Sequence, residues 1–198
     1  MNYLAHFQLS KNNTDLIIGN YIADDVKGKA YLEYSTDIQR GIMLHRKIDS
    51  FTDTHPIVEQ SKKRIRKDQG KFTPVVMDVF YDYFLAKNWT SYSNVALLEF
   101  TTAIYQTLTN NLSKLPPRSR ERLPYMKKNN WLYNYQKIAG INKALSGMAR
   151  RTKYANNMNQ AHIILKKEED KLQDDFNQFY PELINFVNQE IANKTIGT

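Results

Sequence analysis

Two stretches of this sequence place ionisable side chains on faces that are otherwise apolar. In "GIMLHRKIDSFTDTHP", Gly41 to Pro56, helical spacing sets His45 and Asp49 between Ile42 and Ile48, and Asp53 continues the stripe. In "PVVMDVFYDYFLAKNW", Asp78 and Asp82 stand four apart, with Leu85 and Trp89 on the same side. A buried carboxylate is costly unless its charge is compensated, and two on one helix face also repel each other. An arginine partner (Arg46, Arg64 or Arg150), a hydrogen-bond network, protonation, or a metal ion would resolve the conflict. His6 and Asp24 join the set, each in an apolar stretch. A group of His and Asp without Cys suits Mn²⁺, Mg²⁺ or Fe²⁺ better than structural zinc. No HExxH, P-loop or GxSxG motif is present. His55, just before Pro56, and His162 read as structural or merely exposed.

The elements that must position these residues are helical. Glycine is scarce and no alternating strand pattern or repeat stands out. A short helix over "NYLAHFQL" carries His6. The next starts at an Asn/Thr cap signal and runs to Gly28, carrying Asn20 and Asp24. Ser35 caps the helix of His45 and Asp49. Pro56 opens the following helix and Gly70 closes it; Pro74 sits near the start of the helix of Asp78 and Asp82, which is apolar nearly all round and therefore central. The last helix spans about 159–191, with Pro181 expected to kink or split it. The expectation is an all-α, single-domain helical bundle over residues 1–198.

The 198 residues are 41% hydrophobic, enough for one folded core, and contain no cysteine, which removes disulfides and thiolate chemistry. No signal peptide and no run of roughly 20 apolar residues is seen, so the expected location is cytoplasmic, with no membrane partner. The net charge of +8 collects in clusters at Lys62–Lys67, Arg118–Arg122, Lys127–Lys128 and Arg150–Lys153. Clustered positive charge favours an acidic partner; nucleic acid is the weaker choice, because no reading motif accompanies it.

The segments "MNYLAHFQLS", "GNYIADDVKG", "GIMLHRKIDSFTDTHP", "DVFYDYFLAKNW" and "GMARR" together resemble the acyl carrier protein phosphodiesterase family, in order from Met1 to about Arg151. That family is similar to the HD-domain metal-dependent phosphohydrolases. The resemblance implies hydrolysis of the phosphodiester joining 4′-phosphopantetheine to a serine of holo-acyl carrier protein, with a divalent ion, typically manganese, activating water. Position by position it implies His6, His45, Asp49, Asp78 and Asp82 as metal ligands. Asp24, Arg46 and Asp53 become catalytic, with Arg46 on the phosphate. Asn20 joins the substrate-binding set. Lys62, Lys63 and Arg64, with the rest of Lys62–Lys67 and the Arg118–Arg122 cluster, become surface charges that guide an acidic carrier protein. The sequence has Tyr83 where family members commonly have histidine; altered activity, lost activity and a dispensable position all stay open. Two rivals remain: a phosphohydrolase of another phosphoester, and a non-catalytic helical module that binds an acidic partner.

Overall fold

Burial is heaviest on α5 (Thr73–Lys87), which hides Val76, Met77 and Val79 to Ala86 and is packed by helices on several sides. The computed structural model describes residues 1–193; the last five residues of the expected 1–198 domain lie outside it. Around α5 stand α1 (Tyr3–Leu9), α4 (Pro56–Gln69), α9 (Ile138–Arg151) and α11 (Glu169–Ala192). The others are α2 (Thr14–Ile22), α3 (Thr36–Thr54), α6 (Leu97–Asn110), α7 (Pro117–Lys128), α8 (Trp131–Asn134) and α10 (Ala161–Lys167). No strand occurs among the described residues, and the fold is all-α. Tyr81 and Phe84 of α5 meet Phe176 and Phe179 of α11 in one core, and burying a Phe ring contributes roughly 1.5–3 kcal/mol.

Start and stop signals act where local chemistry supports them. Asn13 accepts from the Leu16 N–H and opens α2; His55 accepts from the Ile57 N–H with Pro56 in the first turn of α4, and Gly70 ends it at a φ of 52°. Two boundaries differ from expectation. α2 stops at Ile22, six residues before Gly28, because Ala23–Asp25 tighten into a 3₁₀ turn whose acidic side chains are held from outside, Asp25 by α7 and Asp24 beside α3. The terminal helix breaks at Glu168, where the Glu168 N–H still closes on Ile164 and its carbonyl already starts α11. Glu169 and Asp170 then favour a helix N-terminus. Pro181 lies inside α11 without splitting it; the buried Phe176, Phe179, Tyr180, Leu183 and Val187 on both sides outweigh its lost hydrogen bond.

α2 and α3 cross at two glycines. A Cβ on Gly19 would lie 2.4 Å from the Ile38 carbonyl oxygen and 2.6 Å from Gly41 Cα, both backbone atoms that cannot swing aside. This crossing fixes Asn20 relative to His45. Gly19→Ala is therefore expected to cost about 2–3 kcal/mol in urea unfolding. Gly147→Ala in α9, where a Cβ meets nothing within 4 Å, is expected to change stability by under about 1 kcal/mol and in the stabilising direction. Equal losses at both sites would remove the close-approach explanation.

Candidate active site

His6 on α1 and His45 on α3 stack with ring centroids 4.0 Å apart and planes inclined by 15°. A chain of hydrogen bonds fixes the first ring. Asn20 Nδ2 donates to Ser10 Oγ at 3.0 Å and to the Leu16 carbonyl at 3.1 Å. A carbonyl can only accept, so the amide is oriented and Asn20 Oδ1 must be the acceptor for His6 Nδ1, 3.1 Å away. The proton therefore sits on Nδ1 and Nε2 keeps its lone pair. That lone pair faces Asp49 Oδ1 at 3.2 Å and the Met1 carbonyl at 3.3 Å. Acceptor meets acceptor, and something positive is required between them.

A second proton on His6 is disfavoured: burial and the neighbouring His45 push its pKa down to about 4. His45 behaves in the opposite sense. Burial opposes its charge, but hydrogen bonds to Asp24 and Asp49 outweigh burial and raise it to about 9. Its Nε2 lies 3.1 Å from Asp49 Oδ2 and 3.5 Å from Asp24 Oδ1, and its buried Nδ1 has no partner among the described residues. Burial raises Asp49, yet His6 and His45 hold it well below the usual carboxylate range. Together His6, His45 and Asp49 offer one ligand atom each within 4.8 Å of one another, a set that fits a divalent ion.

The remaining residues divide around this group. Asp78 is beside it: its Oδ1 takes the Met1 ammonium at 3.0 Å, and the same ammonium is 3.5 Å from Asp49. Asp24 is exposed at the mouth, held low first by its hydrogen bond to His45. Asp82 is fully buried, one turn below, where its carboxylate accepts from the Leu4 N–H at 2.7 Å and the Ala5 N–H at 3.2 Å. It caps the N-terminus of α1 and is not among the residues that line the cleft beside His45.

Asp24, His45, Asp49 and Asp78 line one end of this cleft of about 900 Å³, with His6 buried behind His45. Its other wall carries Arg118 and Arg122 from α7 and Lys143, Arg150 and Arg151 from α9. A carboxylate corner that attracts a cation thus faces a cationic wall that attracts an anion.

A family model described as acyl carrier protein phosphodiesterase matches residues 1–183. The chain belongs to that family. It is 32% identical over 185 residues to an acyl carrier protein phosphodiesterase of Enterobacter sp. (strain 638), covering 93% of this chain and 96% of the relative. It is 31% identical over the same length and shares to proteins of that name from Yersinia pestis and Salmonella dublin. No solved structure matches.

Within this member of the acyl carrier protein phosphodiesterase family, several residues sit elsewhere than the resemblance implied. Asn20 has no exposure and touches His6, so it orients a ligand candidate and cannot reach a substrate. Asp53 follows the stripe in projection but is exposed near the C-terminal end of α3, where it pairs with Lys62 at 2.7 Å. Lys62 is itself buried, and Arg64 is tied to the buried Asp175, which also accepts from Ser61 and Gln60; of the three basic residues only Lys63 is a free surface charge among the described residues. Arg46 points to neither an aspartate nor the cleft. It donates to the Val26 and Gly28 carbonyls at 3.0 and 3.2 Å and covers the Tyr31 ring, tying down the loop after α2.

Tyr83 also leaves the site. One residue past Asp82, it turns about 100° around α5 and donates to Glu169 at the start of α11, beside Lys87. Tyr83→His is expected to leave kcat/KM within about twofold while costing roughly 1–2 kcal/mol of stability through the lost hydrogen bond to a carboxylate. A tenfold or larger gain in turnover would place position 83 back in the chemistry. Spacing does not place the arginines of α7 and α9 at the cleft, because only folding brings residues 118–151 beside residues 6–49; their sequence signal is their charge, which points Arg118–Arg122 to an acidic partner and no further.

Proposed function

We propose that this chain hydrolyses the phosphodiester linking 4′-phosphopantetheine to serine of holo-acyl carrier protein, with a divalent ion, manganese foremost, held by His6, His45 and Asp49. The supporting observation is the bare Nε2 of His6, aimed at Asp49 beside a stacked His45, at the end of an arginine-lined cleft. When bound, the ion supplies Lewis-acid activation of water and charge opposite the phosphoryl oxygens.

The chain's own groups do the rest. Asn20 fixes the His6 tautomer, and the stacked rings hold each other in register. Asp78 and Asp24 flank the group from opposite sides, and either carboxylate is placed to take the proton of an attacking water. Arg118, Arg150 and Arg151 are exposed at the cleft and carry no ion pair among the described residues. They suit attraction of an acidic carrier protein better than Lys62 and Arg64, whose charges are spent inside the fold. No described helix is long and apolar enough to cross a membrane.

The test is the mass of holo-acyl carrier protein before and after incubation with the chain and Mn²⁺. Loss of the phosphopantetheine mass is expected with metal and not with chelator. An unchanged mass, with turnover of other phosphoesters, would move the assignment to a different phosphohydrolase. An unchanged mass with no metal bound would move it to a binding module.

A further inference from the structure

Asp24 and Asp25 are consecutive residues of one 3₁₀ turn, and they face opposite ways. Asp24 meets His45. Asp25 meets Arg122, whose Nη2 donates to Asp25 Oδ2 at 2.7 Å and to Ser119 Oγ at 3.3 Å. Ser119 Oγ in turn donates to the same carboxylate oxygen at 2.6 Å. The guanidinium lies against two adjoining aromatic rings, 5.4 Å from the Tyr3 centroid and 5.3 Å from that of Tyr21, the two centroids being 5.8 Å apart. Both rings are held in turn: Tyr21 donates to the Ser119 carbonyl at 2.8 Å and packs against Tyr3. Arg122 is thus a rigid cation on the cleft wall, one residue's step from the histidine group.

Its bonding is incomplete. Arginine carries five N–H donors; among the described residues Nη2 serves Asp25 and Ser119 and the group also meets the Tyr21 hydroxyl, so not all five are taken. About a fifth of the side chain is exposed, and that part opens on the cleft. A planar cation with spare donors, oriented by a carboxylate and by two adjoining aromatic rings, is built to take an oxyanion. The neighbouring arginines are not built this way: Arg118, Arg150 and Arg151 are exposed and unpaired among the described residues. Arg46, chosen from sequence for this role, has its donors turned to backbone carbonyls away from the cleft.

We infer that Arg122, positioned by Asp25, is the residue that grips the phosphate of the substrate, an inference that rests on the phosphodiesterase reading of the same cleft. A merely structural tie between α7 and the 3₁₀ turn is the alternative, and it predicts no change in anion binding.

Inorganic phosphate is the probe, titrated by calorimetry and ³¹P line broadening into the full chain at 0.3 M salt, where exposed arginines are screened. Arg122→Met is expected to weaken phosphate binding by about tenfold or more, and Arg122→Lys by less, because one charge survives without the fork. Arg46→Met is expected to bind phosphate as the wild type does. Circular dichroism checks the fold; where Arg122→Met fails to fold because Asp25 is left unpaired, Arg122→Lys carries the test. Unchanged affinity in a folded Arg122 variant, loss in Arg46→Met, or no phosphate binding by the wild type would each overturn the inference. None of these readings uses the carrier protein, so failure of the hydrolytic assay and failure at Arg122 are separable.

Discussion

Asp49→Asn is expected to lower kcat/KM on holo-acyl carrier protein by on the order of a thousandfold, the scale at which loss of a single central charge in an active site registers. Asp49 is the one carboxylate that reaches both histidines, Oδ1 toward His6 and Oδ2 toward His45. Asparagine keeps the volume but replaces one oxygen with a donor and removes the charge, so the set of two imidazoles and a carboxylate becomes a poor site for Mn²⁺. The wild type should show a Tm that climbs with added Mn²⁺, since an ion that binds only the folded chain at a hundred times its Kd adds about 2.7 kcal/mol. Asp49→Asn should lose most of that rise. If the His/Asp group were only an internal salt-bridge network, the variant would turn over substrate normally and neither protein would respond to the ion. Calorimetry with Mn²⁺, run beside the mass assay, separates the two cases.

How much of this was legible before folding varied with the kind of contact involved. His45 and Asp49 are one helical turn apart, so spacing alone places them on one face, and the apolar residues around them announce burial. Asp82 has the same relation to Asp78, yet the wheel says nothing of what lies opposite; there the N-terminus of α1 supplies two N–H groups, a partner invisible 78 residues upstream. Asp53 follows the stripe in projection but sits so close to the end of α3 that no helix covers it. Lys62 reads as one charge in a basic run, although α4 turns it inward to Asp53. The helical class was clear because cap residues and apolar spacing are local. The cationic wall was not, because α7 and α9 meet α1, α2 and α5 only in the folded chain, far from them in sequence.

Asp82 separates the ligand role that spacing suggested from the cap that the structure shows. Its two oxygens satisfy the Leu4 and Ala5 N–H groups inside the protein, and α1 is only seven residues long, too short to hold its first turn unaided. Burial raises the Asp82 pKa to about 7, with the Leu4 N–H opposing, so the charge itself is an expense that the two hydrogen bonds must offset. Asp82→Ala leaves both donors buried and unsatisfied, at about 1–3 kcal/mol each, and the expected loss is about 3–5 kcal/mol by urea unfolding. Asp82→Asn retains one acceptor oxygen, and roughly half that loss is expected. The decisive comparison is made on metal-free protein. A carboxylate that served only as a metal ligand would repel Asp78 when no ion is present, and its removal would then leave the chain equally or more stable. A cap costs stability on removal whether or not an ion is added. Because α1 carries His6 two residues beyond Leu4, fraying of its first turn should also weaken Mn²⁺ binding in Asp82→Ala, as a consequence of the lost cap. Metal-free Asp82→Ala as stable as the wild type would return Asp82 to the ligand set.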